Sequence, residues 1–486
     1  MNQTVVLSII GMAIYFAVLL FAVTREKKNT TVLDYFFAGR TLPFWALSIT
    51  FVASWWGAGS AISTADLAYT DGMGAFFYYG VPVLIATFLM MLGAGKIRRV
   101  GYLTQGEMMQ ARYSEPVAKL LSVMILIFMT FNAASQMVGI GDFFGSCLHL
   151  SYVPAILIGT AIVLIYSMFG GFRAVVLTDI IQFVLLTVSA VVVFIAGMYF
   201  CGGIKGIETA AAAEDLHGYM DMGSGAQKYM AYVITFGCSW CIQANVWQRI
   251  SAAKDAKEAR KMTTMSFFVY IPLYLIVVLT GMAGLVLYPE GAPAGGIISS
   301  ITTDYLSPVL SAIVFVGISA AIMSTMDSLI NTAAMELVLD LNLGKGTEEK
   351  KLRTSGLATL AVTVVALLIA IRIPSILEVS WIASDVITTG AFVPMILGFF
   401  WRRGNSKGAF ASMLCGLAFC LYNLLIALGV SLPSFWEQQS ALQVGMGMGI
   451  SAAVYVAVSL LTAPEYEKAD AFIQLASGKK KSLEET

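Results

Sequence analysis

The chain has 486 residues, 58% of them hydrophobic and only 12% charged, with 29 basic and 29 acidic side chains and a mean hydropathy of +0.81. That composition lies far outside the range of soluble domains, and the balanced charge excludes an electrostatic footprint for nucleic acid. Two histidines (His149 and His217) and six cysteines without zinc or disulfide spacing supply no metal or nucleophile constellation, so the chain reads as a polytopic membrane protein and not as an enzyme.

A helix needs about 20 apolar residues to cross a bilayer. Windows of that kind predict thirteen spans, at 5–23, 42–70, 73–95, 118–146, 152–170, 175–200, 229–247, 263–288, 306–340, 355–372, 376–400, 408–430 and 441–462. The first lacks a preceding basic segment and a small-residue cleavage site, so it is expected to be retained. The second is too long for a simple crossing and carries Gly57 and Gly59 at its centre. Each glycine costs about 1 kcal/mol of helix propensity relative to alanine, which predicts a break at mid-membrane, where secondary transporters expose backbone to ions; the alternative is a continuous glycine-packed helix. Cys238 and Cys241 form a CxxC inside an apolar segment and read as buried small hydrophobes.

Charge in the loops orients the spans. Arg25, Lys27, Lys28 and Arg40 begin an alternating series that continues through Lys96 to Lys119, Arg173, the cluster Arg249 to Lys261, Lys345 to Arg353, Arg402 to Lys407, and Lys468 to Lys481. Only Lys205, Lys228 and Arg372 fall on the other side. The positive-inside rule then places the N-terminus outside and the C-terminus in the cytoplasm, which requires an odd number of spans. The spans within 42–200 and 229–400 form two groups of five, and groups of odd number start from opposite sides, the topology of an inverted repeat. The expected organisation is an extra N-terminal span and cytoplasmic loop (1–41), a first repeat (42–200), an extracellular loop (201–228), a second repeat (229–400), two additional spans (401–462) and a cytoplasmic tail (463–486).

In the ninth span, SAAIMSTMDSLIN (Ser319 to Asn331), Ala321, Ser324, Thr325 and Ser328 share one helical face, with Asp327 beside it. Small oxygen-bearing residues suit a hard cation such as sodium. The other reading of the hydroxyls is close helix packing with bonds back to the i−4 carbonyls.

YSMFGGFRAVVLTDIIQ (Tyr166 to Gln182), QRISAAKDAKEARK (Gln248 to Lys261) and SAAIMSTMDS (Ser319 to Ser328) resemble, in that order, signature segments of the solute:sodium symporters, a family that moves sugars, amino acids, vitamins, choline or anions with sodium. The resemblance runs from about Asp34 to Gly416. It implies an all-α, 5+5 inverted-repeat (LeuT-type) core with about thirteen transmembrane helices in an inner or plasma membrane. It also implies import of a small polar organic solute by alternating access, with Na+ as coupling ion, the solute and the lipid bilayer as partners, and no obligate protein partner. Neighbouring readings are a proton-coupled symporter of the same fold, with Asp179 or Asp327 as carrier, and a membrane sensor that binds solute without transporting it.

Carried over residue by residue, the family's common sodium site uses backbone carbonyls of Ala53, Trp56 and Ala321 and the hydroxyls of Ser324 and Thr325. Some members bind a second cation through the carboxylate equivalent to Asp179, with hydroxyls at the positions of Ser324, Asp327 and Ser328. This chain has Asp327 where those members have a hydroxyl, and two carboxylates on one sodium leave excess negative charge, so one is protonated or engaged elsewhere. Alternatively, Asp179 is a helix-start carboxylate balanced by Arg173. The segments from Ala53 to Gly74 and from Ser380 to Asp385 resemble most the choline-transporting branch, with Trp55 at its cage position. Asn132 and Gln243, however, stand where that branch has rings, and exchanging rings for amides favours a polar, hydrogen-bonding solute over a quaternary ammonium. The expected solute-lining groups are Trp55, Ser60, Tyr78, Tyr79, Asn132, Gln136, Trp240 and Gln243, with no arginine or lysine in the middle of the surrounding spans.

Overall fold

The computed structural model describes residues 3–24, 31–343, 346–427 and 429–478. Arg25, Lys27, Lys28, Lys345, Lys479, Lys480 and Lys481, which help orient the chain, lie outside them, as do the side chains of Met168 and Phe169 in the first signature segment.

All regular structure among the described residues is helical, as expected where no water is at hand to satisfy backbone groups. In chain order the main helices are α1 (Gln3–Thr24), α2 (Phe44–Ala53), α3 (Thr64–Asp71), α4 (Phe76–Val100), α5 (Gln105–Arg112), α6 (Glu115–Leu148), α7 (Tyr152–Phe200) and α8 (Met230–Cys241). They continue with α9 (Ala244–Ala252), α10 (Ala256–Leu287), α11 (Pro308–Met335), α12 (Glu348–Arg372), α13 (Ile376–Gly390), α14 (Phe392–Gly398), α15 (Ser406–Ala427), α16 (Ala441–Leu461) and α17 (Tyr466–Ser477). Nine stretches among the described residues are long and apolar enough to cross a membrane, or ten if α13 and α14, bent by 48° at Ala391, count as one. The remaining expected spans appear as short or interrupted helices.

The interruptions matter more than the lengths. α2 stops at Ala53, and the chain re-enters helix through a π-helical turn, Gly59–Ser63, before α3. This is the break that the glycines predict. The expected span 229–247 is also broken, at Ile242 and Gln243, where no glycine or proline announces it. There the freed carbonyls are taken up by side chains: the Trp247 indole donates to Cys241 O at 2.8 Å and the Gln105 amide to Ile242 O at 2.9 Å. The spans expected at 152–170 and 175–200 are the two halves of α7, joined at Gly171 with φ 60° and ψ −170°. That conformation is essentially restricted to glycine.

α11 is the axis of the molecule. Every residue from Val314 to Met335 is buried, with α6, α7 and the extra N-terminal helix α1 packed around it. A helix covered on all sides can carry hydroxyls and a carboxylate without presenting them to lipid. Replacing Gly171 by alanine is expected to cost about 1–3 kcal/mol, because a Cβ has no comfortable place at that φ and ψ. A lowered unfolding temperature of the detergent-solubilised variant is the predicted result, and an unchanged one would show that the joint of α7 tolerates another conformation.

Candidate ion and solute site

Residues 54–57 leave the helix, so Phe51 O and Ala53 O at the end of α2 have no amide one turn ahead, while Val52 O keeps those of Trp55 and Trp56. Hydroxyls replace the missing donors. Tyr270 of α10 reaches Phe51 O at 3.2 Å and Val52 O at 3.4 Å. From α11, Thr325 Oγ1 donates to Ala53 O at 3.1 Å, Ser324 Oγ stands 3.4 Å from the same oxygen, and Thr325 Oγ1 lies 3.4 Å from Ala321 O. Four of the five expected sodium ligands, Ala53, Ala321, Ser324 and Thr325, therefore meet at one point. Their spacing suits a cation: oxygens about 2.4 Å from an ion stand about 3.4 Å apart when they are neighbours in its shell. Trp56, the fifth, is fully buried in the break with its ring 4.8 Å from Tyr274 and its indole N–H without a partner.

A buried ion pair lies beside this point. Asp179 of α7 accepts the hydroxyls of Ser324 and Thr50 on its two oxygens, and Arg249 Nη2 of α9 stands 3.6 Å from Asp179 Oδ2, both side chains being fully buried. The same Nη2 donates to Ser328 Oγ at 2.7 Å and Thr50 Oγ1 at 3.3 Å, while Nη1 donates to Asn245 O at 2.8 Å and Gln248 Oε1 at 3.2 Å. Ser54 Oγ completes the ring, 3.0 Å from Ser328 Oγ. Two expectations are corrected here. Arg249, assigned by charge counting to a cytoplasmic loop, is an interior residue of the second half-helix after the break at Gln243. Arg173 does not balance Asp179; it donates to Ala38 O at 3.2 Å and Thr41 Oγ1 at 2.7 Å. Asp327 is turned to another partner, accepting from Ser167 Oγ at 3.1 Å, and its Oδ2 has no donor.

The solute groups gather around a cavity of about 30 Å³, room for about two waters. Seven of the eight expected residues line it: Trp55, Ser60, Tyr79, Asn132, Gln136, Trp240 and Gln243. Tyr78 does not. Its ring packs 4.6 Å from Tyr79 and 5.2 Å from Tyr232, with its hydroxyl buried and unpartnered. Parts of the lining are tied to one another and to the helix break. The Trp55 indole donates to Gln243 Oε1 at 2.5 Å, and Gln136 Oε1 accepts the Ala58 amide at 2.8 Å. Ser60 Oγ bridges Trp55 O at 2.9 Å and Tyr274 OH at 2.8 Å. Trp240 stacks on Phe236 at 4.8 Å and faces Tyr79 at 4.9 Å. Gly57 permits the Gln136 contact, since a Cβ there would run into the Gln136 amide. Lining residues not expected there are Ser54, Val83 and Leu329, together with Gly57 and Gly59, expected only as the helix break, and Thr325, expected only as a sodium ligand, which reaches Ala53 O and walls the cavity at once. Leu329 could have been found, one turn beyond Thr325 on the same face.

A family model described as the sodium:solute symporter family matches residues 35–416. Relatives include a sodium/pantothenate symporter of Haemophilus influenzae, 26% identical over 92% of this chain and 95% of that one, and a sodium/glucose cotransporter of Vibrio parahaemolyticus, 25% identical over 86% and 84%. An osmoregulated proline transporter of Bacillus subtilis is 28% identical over 84% and 87%. In fold the chain is similar to a sodium-coupled sialic acid symporter in its substrate-bound outward-open state, with TM-score 0.77 and 20% identity over 94% of this chain and 98% of that one. It is also similar to the nucleobase-cation-symport-1 family transporter Mhp1, with TM-score 0.58 and 13% identity over 92% and 99%. With an all-helical LeuT-type fold and a family match over most of its length, the chain belongs to the sodium:solute symporter family, and it is a sodium-coupled solute symporter of a membrane.

Proposed function

We propose that sodium binds between the end of α2 and the middle of α11, on the carbonyls of Ala53, Trp56 and Ala321 and the hydroxyls of Ser324 and Thr325, and that it organises the adjoining solute pocket. The observation that carries this reading is the double position of Thr325, which reaches Ala53 O at 3.1 Å and also walls the cavity. An ion that fixes Thr325 and the end of α2 also fixes the start of the break at Ser54 and Trp55, so each ligand raises the affinity for the other. The solute is a small polar organic molecule, imported by alternating access. The amides of Asn132, Gln136 and Gln243 offer it both donors and acceptors, and Trp55, Tyr79 and Trp240 offer it ring faces. This lining suits an amino acid, amine or polyol-like solute better than choline.

The two groups of five spans, 42–200 and 229–400, are proposed to rock about this point as inverted repeats, the two broken helices occupying corresponding positions. The chain sits in an inner or plasma membrane with its N-terminus outside and its C-terminus in the cytoplasm, an orientation supported by the bias of basic residues. A second sodium is not included, because Arg249 already supplies the positive charge beside Asp179 and Ser328. One observation favours a further reading, in which a proton moves with sodium: the donorless Asp327 Oδ2. Uptake at fixed sodium and voltage that ignores external pH would remove it.

Substituting alanine for Ser324 or Thr325 removes one of five ligands, a loss of about 1–2 kcal/mol, so roughly 5- to 30-fold more sodium should be needed. Sodium titration of the thermal stability of the purified protein measures this without knowledge of the solute; unchanged midpoints in both variants would sink the site. Arg249→Met should strand a buried carboxylate and cost about 3–5 kcal/mol, whereas Arg249→Met combined with Asp179→Asn should recover much of the loss. A double-mutant cycle in thermal unfolding checks the coupling, and additive losses would mean that the two groups do not act as a pair.

A further inference from the structure

α11 does not end cleanly at Met335. It widens into a π-helical turn, Glu336–Asp340, a local geometry that marks functional positions more often than chance. The turn brings the carboxyls of Glu336 and Asp340 within hydrogen-bonding reach of each other. Glu336 is fully buried, and neither of its carboxyl oxygens has a donor. Asp340 Oδ1 accepts from Thr104 Oγ1 at 2.6 Å, but its Oδ2 has no donor. Ser122 of α6 is fully buried as well, with its hydroxyl unpartnered. These groups meet at Gly106 in the first turn of α5, where a Cβ would stand 2.6 Å from Asp340 Cγ and 2.8 Å from Ser122 Oγ. The cluster is separate from the sodium point, since Glu336 lies about 16 Å along the helix axis from Thr325.

Among the surrounding elements one positive charge, Arg40, faces Glu107. α5 contributes Glu107, which has the same sign as the two carboxyls and accepts the Leu103 amide at 2.9 Å. α6 contributes Ser122, and α12 packs against the turn with Ala358. Among the described residues no lysine or arginine forms an ion pair with either carboxyl. Two ionised carboxylates set against each other in the interior, with Thr104 as the one hydroxyl donor between them, are costly, so the pair is expected to share a proton or hold a cation. Two carboxylates overcompensate a monovalent ion, and among the described residues no third acidic, histidine or cysteine ligand assembles with them. A proton needs no further ligand. It sits on one carboxyl, whose hydroxyl donates to the carboxylate of the other, and it exchanges with water.

We propose that Glu336 and Asp340 form a proton-binding site, and that the shared proton fastens α5 to the end of α11. The fastening runs through Thr104, the N-cap of α5, whose hydroxyl accepts the Glu107 amide at 3.0 Å while donating to Asp340. Loss of the proton sets two like charges face to face beneath that cap, with Glu107 as a third, and so releases it.

The test uses the full chain in lipid nanodiscs and requires neither sodium nor solute, so its failure is distinct from failure of the sodium site. The infrared spectrum of the wild type at neutral pH should contain a protonated-carboxyl band that Glu336→Gln lacks. In hydrogen exchange, Glu336→Gln, which still donates to Asp340, should keep the Gln105–Arg112 amides protected, while Glu336→Ala should expose them roughly tenfold. A wild-type spectrum without that band overturns the proposal, as does its loss on adding sodium or calcium, which would identify a metal cation as the occupant. A glutamine variant whose α5 exchanges as fast as the alanine variant also overturns it.

Discussion

A polypeptide that leaves the helix in a dry interior has to find donors for the carbonyls it abandons, and the centre of this molecule follows from that constraint. Where α2 ends, the donors are hydroxyls from two other helices, Tyr270 on one side and Ser324 with Thr325 on the other. Hydroxyls are a consequential choice. An amide can only donate, whereas a hydroxyl that caps a carbonyl keeps its lone pairs and can turn them toward a cation. The same atoms that hold the broken helix together can thus, in the proposed cycle, turn to the ion. The second break uses the indole N–H of Trp247 and the NH2 of Gln105, nitrogens that donate to its carbonyls and have no lone pair to turn toward an ion. The first break is therefore the one whose capping groups suit the proposed ion.

The ion pair of Asp179 and Arg249 extends that logic. Burying both charges is costly, and the cost is offset by distributing hydrogen bonds over Thr50, Ser324, Ser328, Asn245 and Gln248, which belong to three different helices. Charge is used here to fix relative position. α7, α9, α11 and α2 cannot shift independently while the guanidinium holds its partners, so a movement of one half of the molecule against the other has to carry the cluster as a block or break it.

Much of this was legible in the sequence, and the failures share a cause. Apolar run length marked the nine or ten long stretches, glycine spacing marked the first break, and the hydroxyl face of Ser319 to Asn331 marked the side chains that meet Ala53 O, because each is a local property of the chain. The break at Ile242 and Gln243 was not legible, since its donors come from Gln105 and from a tryptophan beyond the break. Arg249 was misplaced for a related reason. Counting loop charges treats every arginine as solvated, and nothing near it in sequence reveals that its partner is a carboxylate on α7. Tyr78 errs in the opposite sense. It neighbours Tyr79 in the chain, but adjacent residues on a helix point about 100° apart, and only one of the two reaches the cavity. The pairing of Glu336 with Asp340 depends on a π turn that composition does not announce.

The smallness of the central cavity bears on how tightly the transported species are tied to one another. The site has room for about two waters, too few to hydrate an ion. A sodium ion that tried to cross through the core without its fitted ligands would have to shed its shell into a nearly dry space, at a cost of many kcal/mol. In the proposed cycle, leak is thus opposed by desolvation wherever the pocket is not filled.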